Sequence, residues 1–251
     1  MKSFLETDDT QLAESIHLFE DVYHSRPILD NAGGMGFDHS WATWHILKML
    51  QPTLIIESGV WKGHSTWLIE KACPEATIVC FEPNQDRIQF KSKNAEYHSH
   101  DFNEHDWEKF DTNEGLCFFD DHQNSYTRLM QMKWFGFSRA IFEDNPEPGD
   151  GDFYSINHVL AGTGAPSLQM NPAYRGGLIR HTRRWAKEAA LKRIRHNQNL
   201  LVLPNKSDKS NLMRNVAKIV HMPSVKSAQD QRNDDKPRRS NHLVYIEMTP
   251  K

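Results

Sequence analysis

The sequence predicts an α/β fold, a doubly wound sheet of seven mostly parallel strands with helices on both faces. Short apolar runs alternate with segments of helical periodicity, which is the pattern of βαβ units. Acidic or amide residues directly follow several of these runs, where each strand would end. The first run leads through a glycine turn into a helix, and this geometry places ligand-binding groups at the carboxyl edge of an open parallel sheet.

The composition is that of a soluble globular chain. Its 251 residues include 25% charged side chains, a formal net charge of −3 and a mean hydropathy of −0.70. No apolar run approaches the ~20 residues of a membrane span, and the first residues lack the apolar core of a signal peptide. The acidic balance argues against nucleic acid or an anionic membrane as a partner. The three cysteines have no metal-binding spacing and are typical of reduced core residues, so we expect a cytoplasmic protein.

Residues 1–50 are predicted to hold N-terminal helices and a loop. Apolar residues at three- and four-residue spacing predict one helix over 10–23 and another over 39–50. The segment from Asn31 to Phe37 between them is too rich in glycine for regular structure. A flexible connector is the ordinary interpretation, and the functional alternative is a lid in which Asn31 and Gly33 contact a bound ligand.

The first strand, from Leu54, ends in the motif E-x-G-x-x-x-G. Glu57 closes the strand, Gly59 and Gly63 form the turn with Trp61 between them, and Ser65 opens the next helix. Glycines suit such a turn because a Cβ atom would block close approach of a ligand. The spacing differs from G-x-G-x-x-G and so argues against a dinucleotide pyrophosphate, although an ordinary strand-to-helix turn can share it.

Two further strands are predicted to end in carboxylates. Residues 77–81 form the second strand, and Glu82 after it is placed to accept hydrogen bonds from ribose hydroxyls. Its separation from Glu57 fits a βαβ unit. Residues 94–101 suit a third, edge strand, and Asp101 at its end would reach an adenine amino group.

The remaining strands are 115–121, 140–145, 199–203 and 242–248. The fourth runs into Asp120, Asp121 and His122, and a helix is predicted over 124–135. The fifth runs into Glu143, Asp144 and Asn145. The Asp144-Asn145 pair followed by proline is also an ordinary turn signal.

Later segments carry less information about function. A short helix is predicted over 154–160, and the strongly basic helix 180–195 is either a solvated face or an attractor for an acidic substrate. Residues 205–240 are long and polar, which predicts a mobile insertion between the last two strands. No internal repeat or second core is evident, so a single domain spanning residues 1–251 is expected.

Gly59, Gly63 and Glu82 resemble the S-adenosylmethionine (SAM) site of class I SAM-dependent methyltransferases, which have a Rossmann-like fold. The Asp121-His122 and Asp144-Asn145 pairs resemble the metal site of the magnesium-dependent, catechol-type O-methyltransferases and of related sugar and natural-product O-methyltransferases. The resemblance covers roughly residues 31–145. It implies Mg²⁺ or Mn²⁺ held by Asp121, Asp144 and Asn145. It implies SAM bound by Asn31, Gly33, Glu57, Gly59, Trp61, Gly63, Ser65, Glu82, Asp101 and Asp121.

One departure from the catechol-type pattern concerns the proton acceptor. Those enzymes have a lysine where this chain has Asn124, so the acceptor must be Asp120, Asp121, His122 or a metal-bound hydroxide. We expect an O-methyltransferase acting on a hydroxyl of a small molecule, with an acidic compound or a sugar as the candidate acceptor. A non-catalytic SAM-fold binding protein is the first alternative, and a different reaction on the same fold is the second, since some related sequences are labelled hydroxylases. The oligomeric state stays open, with a homo-oligomer among the alternatives.

Overall fold

The computed structural model describes residues 9–148, 151, 153–163, 206–225 and 242–249. Within these ranges the strands are β1 Leu54–Ser58, β2 Thr77–Phe81, β3 Ala95–His98, β4 Gly115–Phe119, β5 Arg139–Phe142, β6 Val216–His221 and β7 Val244–Met248. They form one sheet in the order β3-β2-β1-β4-β5-β7-β6. The first five strands are parallel, and β7 is antiparallel to both of its neighbours. The predicted fold class is therefore confirmed.

Helices cover both faces of this sheet. They are α1 Asp9–His24, α2 Phe37–Leu50, α3 His64–Ala72, α4 Ser125–Trp134, α5 Ile156–Ala161 and α6 Lys206–Asn215. The first three pack on one face through residues such as Trp41 and Leu68, and the others pack on the opposite face through residues such as Leu129 and Ile156. The order of strands reverses between β1 and β4, and ligands of doubly wound sheets bind at such a switch point.

The structure corrects one prediction near the C-terminus. Residues 205–240 were expected to be a mobile insertion, but α6 and β6 occupy residues 206–221 within it. The strand V-A-K-I-V-H is largely apolar, but it is short, lies at the sheet edge and is flanked by the polar residues that dominate 205–240, which masks it in the sequence. The predicted strand 199–203 and the basic helix 180–195 lie outside the described residues. The single-domain extent of 1–251 remains a prediction.

The strand ends fall slightly earlier than predicted. β4 ends at Phe119 and β5 at Phe142, so Asp120 and Glu143 are the first residues beyond their strands. No helix among the described residues has both the length and the apolar content to cross a membrane.

Candidate active site

The strand register aligns the polar residues that follow the parallel strands. Ser58 pairs with Phe81 and with Phe119, and Phe119 pairs with Phe142. The next residues are Gly59, Glu82, Asp120 and Glu143. They therefore form a row along the carboxyl edge of the sheet, which is the ligand-binding edge of this architecture.

The pleat of β4 separates its two terminal acids. Phe118 belongs to the core under α1–α3, and Phe119 belongs to the core under α4 and α5. The backbone N–H of Asp120 donates to Ser58 O at 2.8 Å, which continues the ladder beyond the strand. Alternation then directs Asp120 toward the face of α2 and Asp121 toward the face of α4.

A cavity of about 150 Å³ lies at this edge on the α2 side. Its floor holds Asp120, Glu143 and Asp144, which we call the pocket carboxylates. One wall is the glycine loop from Gly33 to Gly36, and Asp38, His39 and His122 complete the lining. Ligand atoms of Asp120, His122 and Asp144 all lie within 4.8 Å of one another, and so do those of His39, Glu143 and Asp144. Asp144 belongs to both groups.

The pocket carboxylates are in electrostatic conflict with one another. Burial, followed by the charges of Glu143 and Asp144, raises the pKa of Asp120 well above its usual range. Burial and the charge of Glu143 raise the pKa of Asp144 to about 7, and a hydrogen bond joins these two carboxyl groups. Without a cation the pocket therefore retains a proton near neutral pH.

Two histidines partly offset this charge. His39 Nδ1 lies 2.6 Å from Glu143 Oε1. Burial alone would lower the pKa of His39, but the hydrogen bond and the charge of Glu143 outweigh burial and raise it to about 9. The same contact outweighs burial for Glu143 and holds its pKa below the usual range. His122 Nε2 lies 3.5 Å from Asp144 Oδ2 in a half-exposed position.

Asp121 lies on the other face, which corrects its predicted role as a metal ligand. Its Oδ2 accepts hydrogen bonds from Ser58 Oγ at 2.7 Å and from Arg128 Nε at 2.8 Å, and its Oδ1 accepts from Gln123 N. The carboxylate thus belongs to a network of the chain's own donors and lies on the opposite face from the pocket carboxylates. Asp120 occupies the place in the pocket that was predicted for Asp121.

Asp101 shares this network and does not fit its predicted role toward adenine. Its two oxygens accept from Arg128 Nη1 and Nη2, both at 2.7 Å, and Oδ1 also accepts from Asn103 N. We call Arg128, Asp101, Asp121 and Ser58 the Arg128 cluster. The fork of Arg128 is satisfied by both acids, so Asp101 is held for structural reasons.

Asn145 is buried, and its side chain serves the backbone rather than the pocket. Its Oδ1 accepts from Asn157 N at 2.9 Å, and its backbone oxygen accepts from Asn157 Nδ2. These bonds tie the end of β5 to the first turn of α5. The predicted metal role of Asn145 is therefore not supported by its contacts, whereas Asp144 lies in the pocket as expected.

The glycine turn after β1 is required by its own backbone. Gly59 has φ +94°, and a Cβ atom there would lie 2.2 Å from Asp120 O. Gly63 has φ +93°, and its Cβ would meet Phe90 O at the same distance. Both glycines therefore permit close approach of the chain to itself, and Gly59 fixes the backbone from which Asp120 and Asp121 diverge.

Glu82 and Trp61 lie beside this turn. Glu82 is partly exposed; its Oε2 accepts from Trp61 N and its Oε1 from Asn84 N, each at 2.9 Å. Since each carboxylate oxygen has two acceptor sites, Glu82 can accept further hydrogen bonds from a ligand. The ring of Trp61 packs against Gly33 and Gly34.

Glu57 is buried beneath the turn. Its Oε2 accepts from Thr66 Oγ1 at 2.6 Å and from Cys80 Sγ at 3.2 Å, and Ser65 also donates to the carboxylate. Burial raises its pKa despite these donors. Its Oε1 is buried and has no hydrogen-bond partner within the described part of the chain.

The loop from Asn31 to Phe37 lies where a lid was predicted, between the glycine turn and the pocket. Asn31 Nδ2 donates to Met35 O at 3.2 Å, and Gly34 N donates to Asn31 O, so the loop has local order. Lys62 Nζ donates to Asp30 O and also lies over the Trp61 ring. Movement of this loop on ligand binding remains a prediction.

Three residues that matter here were not predicted as site residues. Glu143 follows a recognisable strand, so its position was visible in the sequence. His39 reaches Glu143 across 104 residues of chain, and Arg128 reaches Asp121 from α4, the helix that follows β4; no local pattern marks either residue. Asn124, at the position of the catechol-type lysine, caps α4 by accepting from Thr127 N at 3.0 Å.

Comparison with known proteins gives only distant similarity. No family model and no curated protein matches the sequence. Among solved structures, the chain resembles the apo structure of CmcI-N160 at 19% identity, covering 43% of this chain and 52% of that chain, with a TM-score of 0.36. It thus spans about half the length of that protein. A Bacillus cereus O-methyltransferase in complex with SAH has 13% sequence identity, the match covers 98% of this chain and 93% of that chain, and the TM-score is 0.43. A putative O-methyltransferase from Klebsiella pneumoniae has 11% sequence identity, the match covers 94% of this chain and 96% of that chain, and the TM-score is 0.49. Similarity of this degree assigns no function to the chain.

Proposed function

We propose that this chain is a SAM-dependent O-methyltransferase that also requires a divalent metal ion. Its acceptor would be a hydroxyl group of a small molecule, with sugars and natural products as the candidate class. The observation that carries the proposal is the convergence of Asp120, Glu143 and Asp144 in one cavity at the sheet's carboxyl edge, beside the glycine turn that follows β1.

The pocket carboxylates fit a hard divalent cation. Asp120 and Asp144 both have raised pKa values and share their surroundings with Glu143, so the site carries more carboxylates than its histidines neutralise. Mg²⁺ and Mn²⁺ favour such oxygen ligands and commonly keep some positions for water or substrate. Asp120 and Asp144 would hold the ion, and Glu143 stays paired with His39.

The glycine turn and Glu82 fit the cofactor. Glu82 is partly exposed, retains acceptor capacity and lies at the end of the second strand, where a ribose is bound in this architecture. Beneath the turn, Oε1 of Glu57 is a buried acceptor without a hydrogen-bond partner among the described residues. Asp101 is left out of this assignment because Arg128 neutralises its charge through a bidentate ion pair and Asn103 N takes a further acceptor site.

When bound, SAM would supply the methyl group on its sulfonium, and the metal ion would lower the pKa of the acceptor hydroxyl. The chain's own residues then orient the acceptor and remove its proton. His122 and Asp120 are the candidate proton acceptors, because both line the cavity and Asp121 is committed to Arg128. The loop from Gly33 to Gly36 forms the wall that limits access of water.

The metal assignment is tested by comparing two adjacent acids. Asp120→Asn should abolish binding of Mn²⁺, measured by electron paramagnetic resonance, whereas Asp121→Asn should retain it because that side chain lies on the other face. Asp144→Ala should behave as Asp120→Asn does. If Asp121→Asn loses the ion and Asp120→Asn keeps it, the assignment of the ligands is wrong.

The cofactor assignment is tested by calorimetry with S-adenosylhomocysteine. Glu82→Ala should weaken binding at least tenfold, since each charge-assisted hydrogen bond contributes roughly 1.5–3 kcal/mol. Glu96→Ala, which removes an exposed carboxylate on β3, is the matched control and should leave the affinity unchanged. Equal affinities for both variants would remove Glu82 from the site, and absence of binding to the wild type would refute the cofactor itself.

Turnover is followed as S-adenosylhomocysteine formed from SAM in the presence of sugars and phenols. Activity should disappear on exhaustive chelation and return with Mg²⁺ or Mn²⁺. Activity that survives chelation would leave a methyltransferase without a metal-dependent step.

A further inference from the structure

A second group of ligand-type side chains lies at the edge of the sheet, on the face opposite the pocket carboxylates. His98 ends β3, His100 follows two residues later, and His105 comes after a 3₁₀ turn over Phe102–Glu104. One ring nitrogen from each histidine lies within 4.8 Å of the other two. The chain bends at Ser99 and His100 directly after β3, which stacks the ring of His100 on that of His98, and the turn returns His105 to meet them.

The three imidazoles rest on an aromatic base that restricts their positions. The ring centroids of His98 and His105 are 4.6 Å apart, and those of His98 and His100 are 4.9 Å apart. Phe81 stacks on His98 at 5.6 Å, and Trp107 contacts His105 at 4.6 Å. An apolar support of this kind limits rotation of the rings and excludes water from one side of the group.

The intervening turn is itself held in place by the Arg128 cluster. Asp101 begins the turn, accepts from Asn103 N at 3.0 Å and is bound by both terminal nitrogens of Arg128. The approach of His105 to His98 and His100 is therefore fixed by contacts that do not involve the histidines themselves.

In His98 and His100, one ring nitrogen has a lone pair that accepts no hydrogen bond from the described residues. His98 Nε2 is buried and has no hydrogen-bond partner among the residues that the structure describes; the nearest acidic atom, Glu96 Oε2, is 3.7 Å away. His100 Nδ1 lies 3.2 Å from the backbone oxygen of Asp101. Because a carbonyl only accepts, Nδ1 of His100 carries the proton and its Nε2 carries the lone pair. A carbonyl in this position is the usual outer partner of a metal-binding histidine.

We propose that His98, His100 and His105 form a binding site for a borderline transition metal ion of the Zn²⁺ class. Neutral imidazoles suit Zn²⁺, Co²⁺, Ni²⁺ or Cu²⁺, whereas Mg²⁺ prefers the oxygen ligands of the other face. Water or the exposed carboxylate of Glu96 can supply a fourth ligand.

The geometry is close to that of a three-histidine site. Nitrogens bound to one tetrahedral Zn²⁺ at ~2.0–2.1 Å lie roughly 3.3 Å apart. The three ring nitrogens lie within 4.8 Å of one another, so closure shortens each separation by at most about 1.5 Å. Such shifts are within reach of the partly exposed rings of His98, His100 and His105. The ion would link the edge strand β3 to the segment that precedes β4.

The experiment uses full-length, untagged protein that has been stripped of metal and then supplied with excess Mg²⁺ to occupy the carboxylate pocket. Co²⁺ is the probe, because its visible absorption reports on nitrogen ligands and coordination number. Wild type should take up about one equivalent with a spectrum of low coordination number, and His100→Gln should lose this uptake. His17→Gln, which changes an exposed histidine on α1, is the matched control and should bind as the wild type does.

A second variant guards against loss of the fold. His105→Phe keeps an aromatic ring against Trp107 but removes both ring nitrogens, and it should also lose Co²⁺. Zn²⁺ at a hundredfold excess over its dissociation constant should raise the unfolding midpoint of the wild type by roughly 5–10 °C, and that of His105→Phe not at all. Uptake of Co²⁺ by His100→Gln or His105→Phe equal to that of wild type, or no uptake by wild type, would overturn the proposal.

Discussion

Asp120 and Asp121 are adjacent in sequence but belong to two carboxylate groups that the fold treats in opposite ways. Asp121 joins the Arg128 cluster, where Arg128 is 5% exposed and satisfies Asp101 as well. Asp120 joins the pocket carboxylates, where burial and neighbouring charges raise its pKa. One group is neutralised by a guanidinium of the chain, and the other retains a proton.

This difference separates acids that maintain the fold from acids that are available to a ligand. A buried carboxylate held by arginine and a hydroxyl has its stabilising partners already. Buried carboxylates without such partners repel one another when ionised, so they take up a proton instead. A divalent cation would remove the cost of ionising them. The comparison therefore predicts that mutations in the first group lower the stability of the fold, whereas mutations of Asp120 or Asp144 in the second group raise it and remove metal binding.

The largest effect should come from the turn on which both groups depend. Gly59→Ala should lower the free energy of unfolding by about 3 kcal/mol, because of its positive φ and the overlap of a Cβ with Asp120 O. Gly162→Ala is the matched control: Gly162 has φ +68° but open space around its Cβ position, so about 1 kcal/mol is expected. Denaturant unfolding measures both. Equal losses would show that the contact with Asp120 is unimportant.

Removing the guanidinium should have the next largest effect. Arg128→Met leaves Asp101 and Asp121 without their cation and should cost about 2–4 kcal/mol, toward the lower end because Asp101 is 40% exposed. Lys109→Met breaks the exposed pair with Asp106 and should change stability by less than about 0.5 kcal/mol. If chemical denaturation shows Arg128→Met to be as mild as this control, the cluster does not stabilise the fold.

Replacing Asp144 in the pocket should have a smaller effect on stability, and this effect should be of opposite sign. The pKa of Asp144 is about 7 in the fold against 3.8 when unperturbed, so its protonation stabilises the fold fully below about pH 4. This contribution is lost as the pH rises through 7. Metal-free wild type should therefore lose roughly 1 kcal/mol relative to Asp144→Asn between pH 4 and 8, after allowance for the 37% exposure of the side chain.

Thermal unfolding in chelator, at several pH values, measures this difference. The exposed Asp86→Asn should follow the wild-type curve. Parallel curves for wild type and Asp144→Asn would mean that the pocket holds no extra proton.

The smallest effect should come from His122, whose Nε2 lies 3.5 Å from Asp144 Oδ2. Its side chain is 52% exposed and 3.5 Å from the carboxylate, so His122→Ala should change stability by less than about 0.5 kcal/mol. Thermal melts of His122→Ala and Arg128→Met, run together without metal, compare the two groups directly. If His122→Ala lowered stability as much as Arg128→Met, the pocket carboxylates would be neutralised by a side chain of the protein, as the acids of the Arg128 cluster are.

The sheet and its functional edge could be predicted from the sequence because they depend on local patterns. Apolar runs such as TIVCF mark strands, and the acids after them mark the edge. Which of Asp120 and Asp121 enters the pocket depends on two things. The alternation of side chains along the strand can be read from GLCFFDD. The identity of the helix that covers each face cannot be read from it. The resemblance to catechol-type enzymes favoured Asp121, and the contacts with Arg128 reverse that choice.

Long-range partners could not be predicted in this way. His39 meets Glu143 across 104 residues of chain, and Arg128 reaches Asp101 across 27. Neither pairing leaves a periodic signal, because each depends on how a helix packs on the sheet. The strand Val216–His221 was missed for a different reason, because its short apolar run lies inside a long polar tract.

The glycine loop and His39 belong to one short stretch of chain, since α2 begins at Phe37, directly after Gly36. If α2 moves with the loop, a movement that widens the cavity would also draw the His39 cation away from Glu143. The cavity would then be most negative when its entrance is widest, and it would regain an internal cation as the entrance narrows. Under the proposed function, entry and release of the metal ion would be coupled to the loop by charge as well as by space.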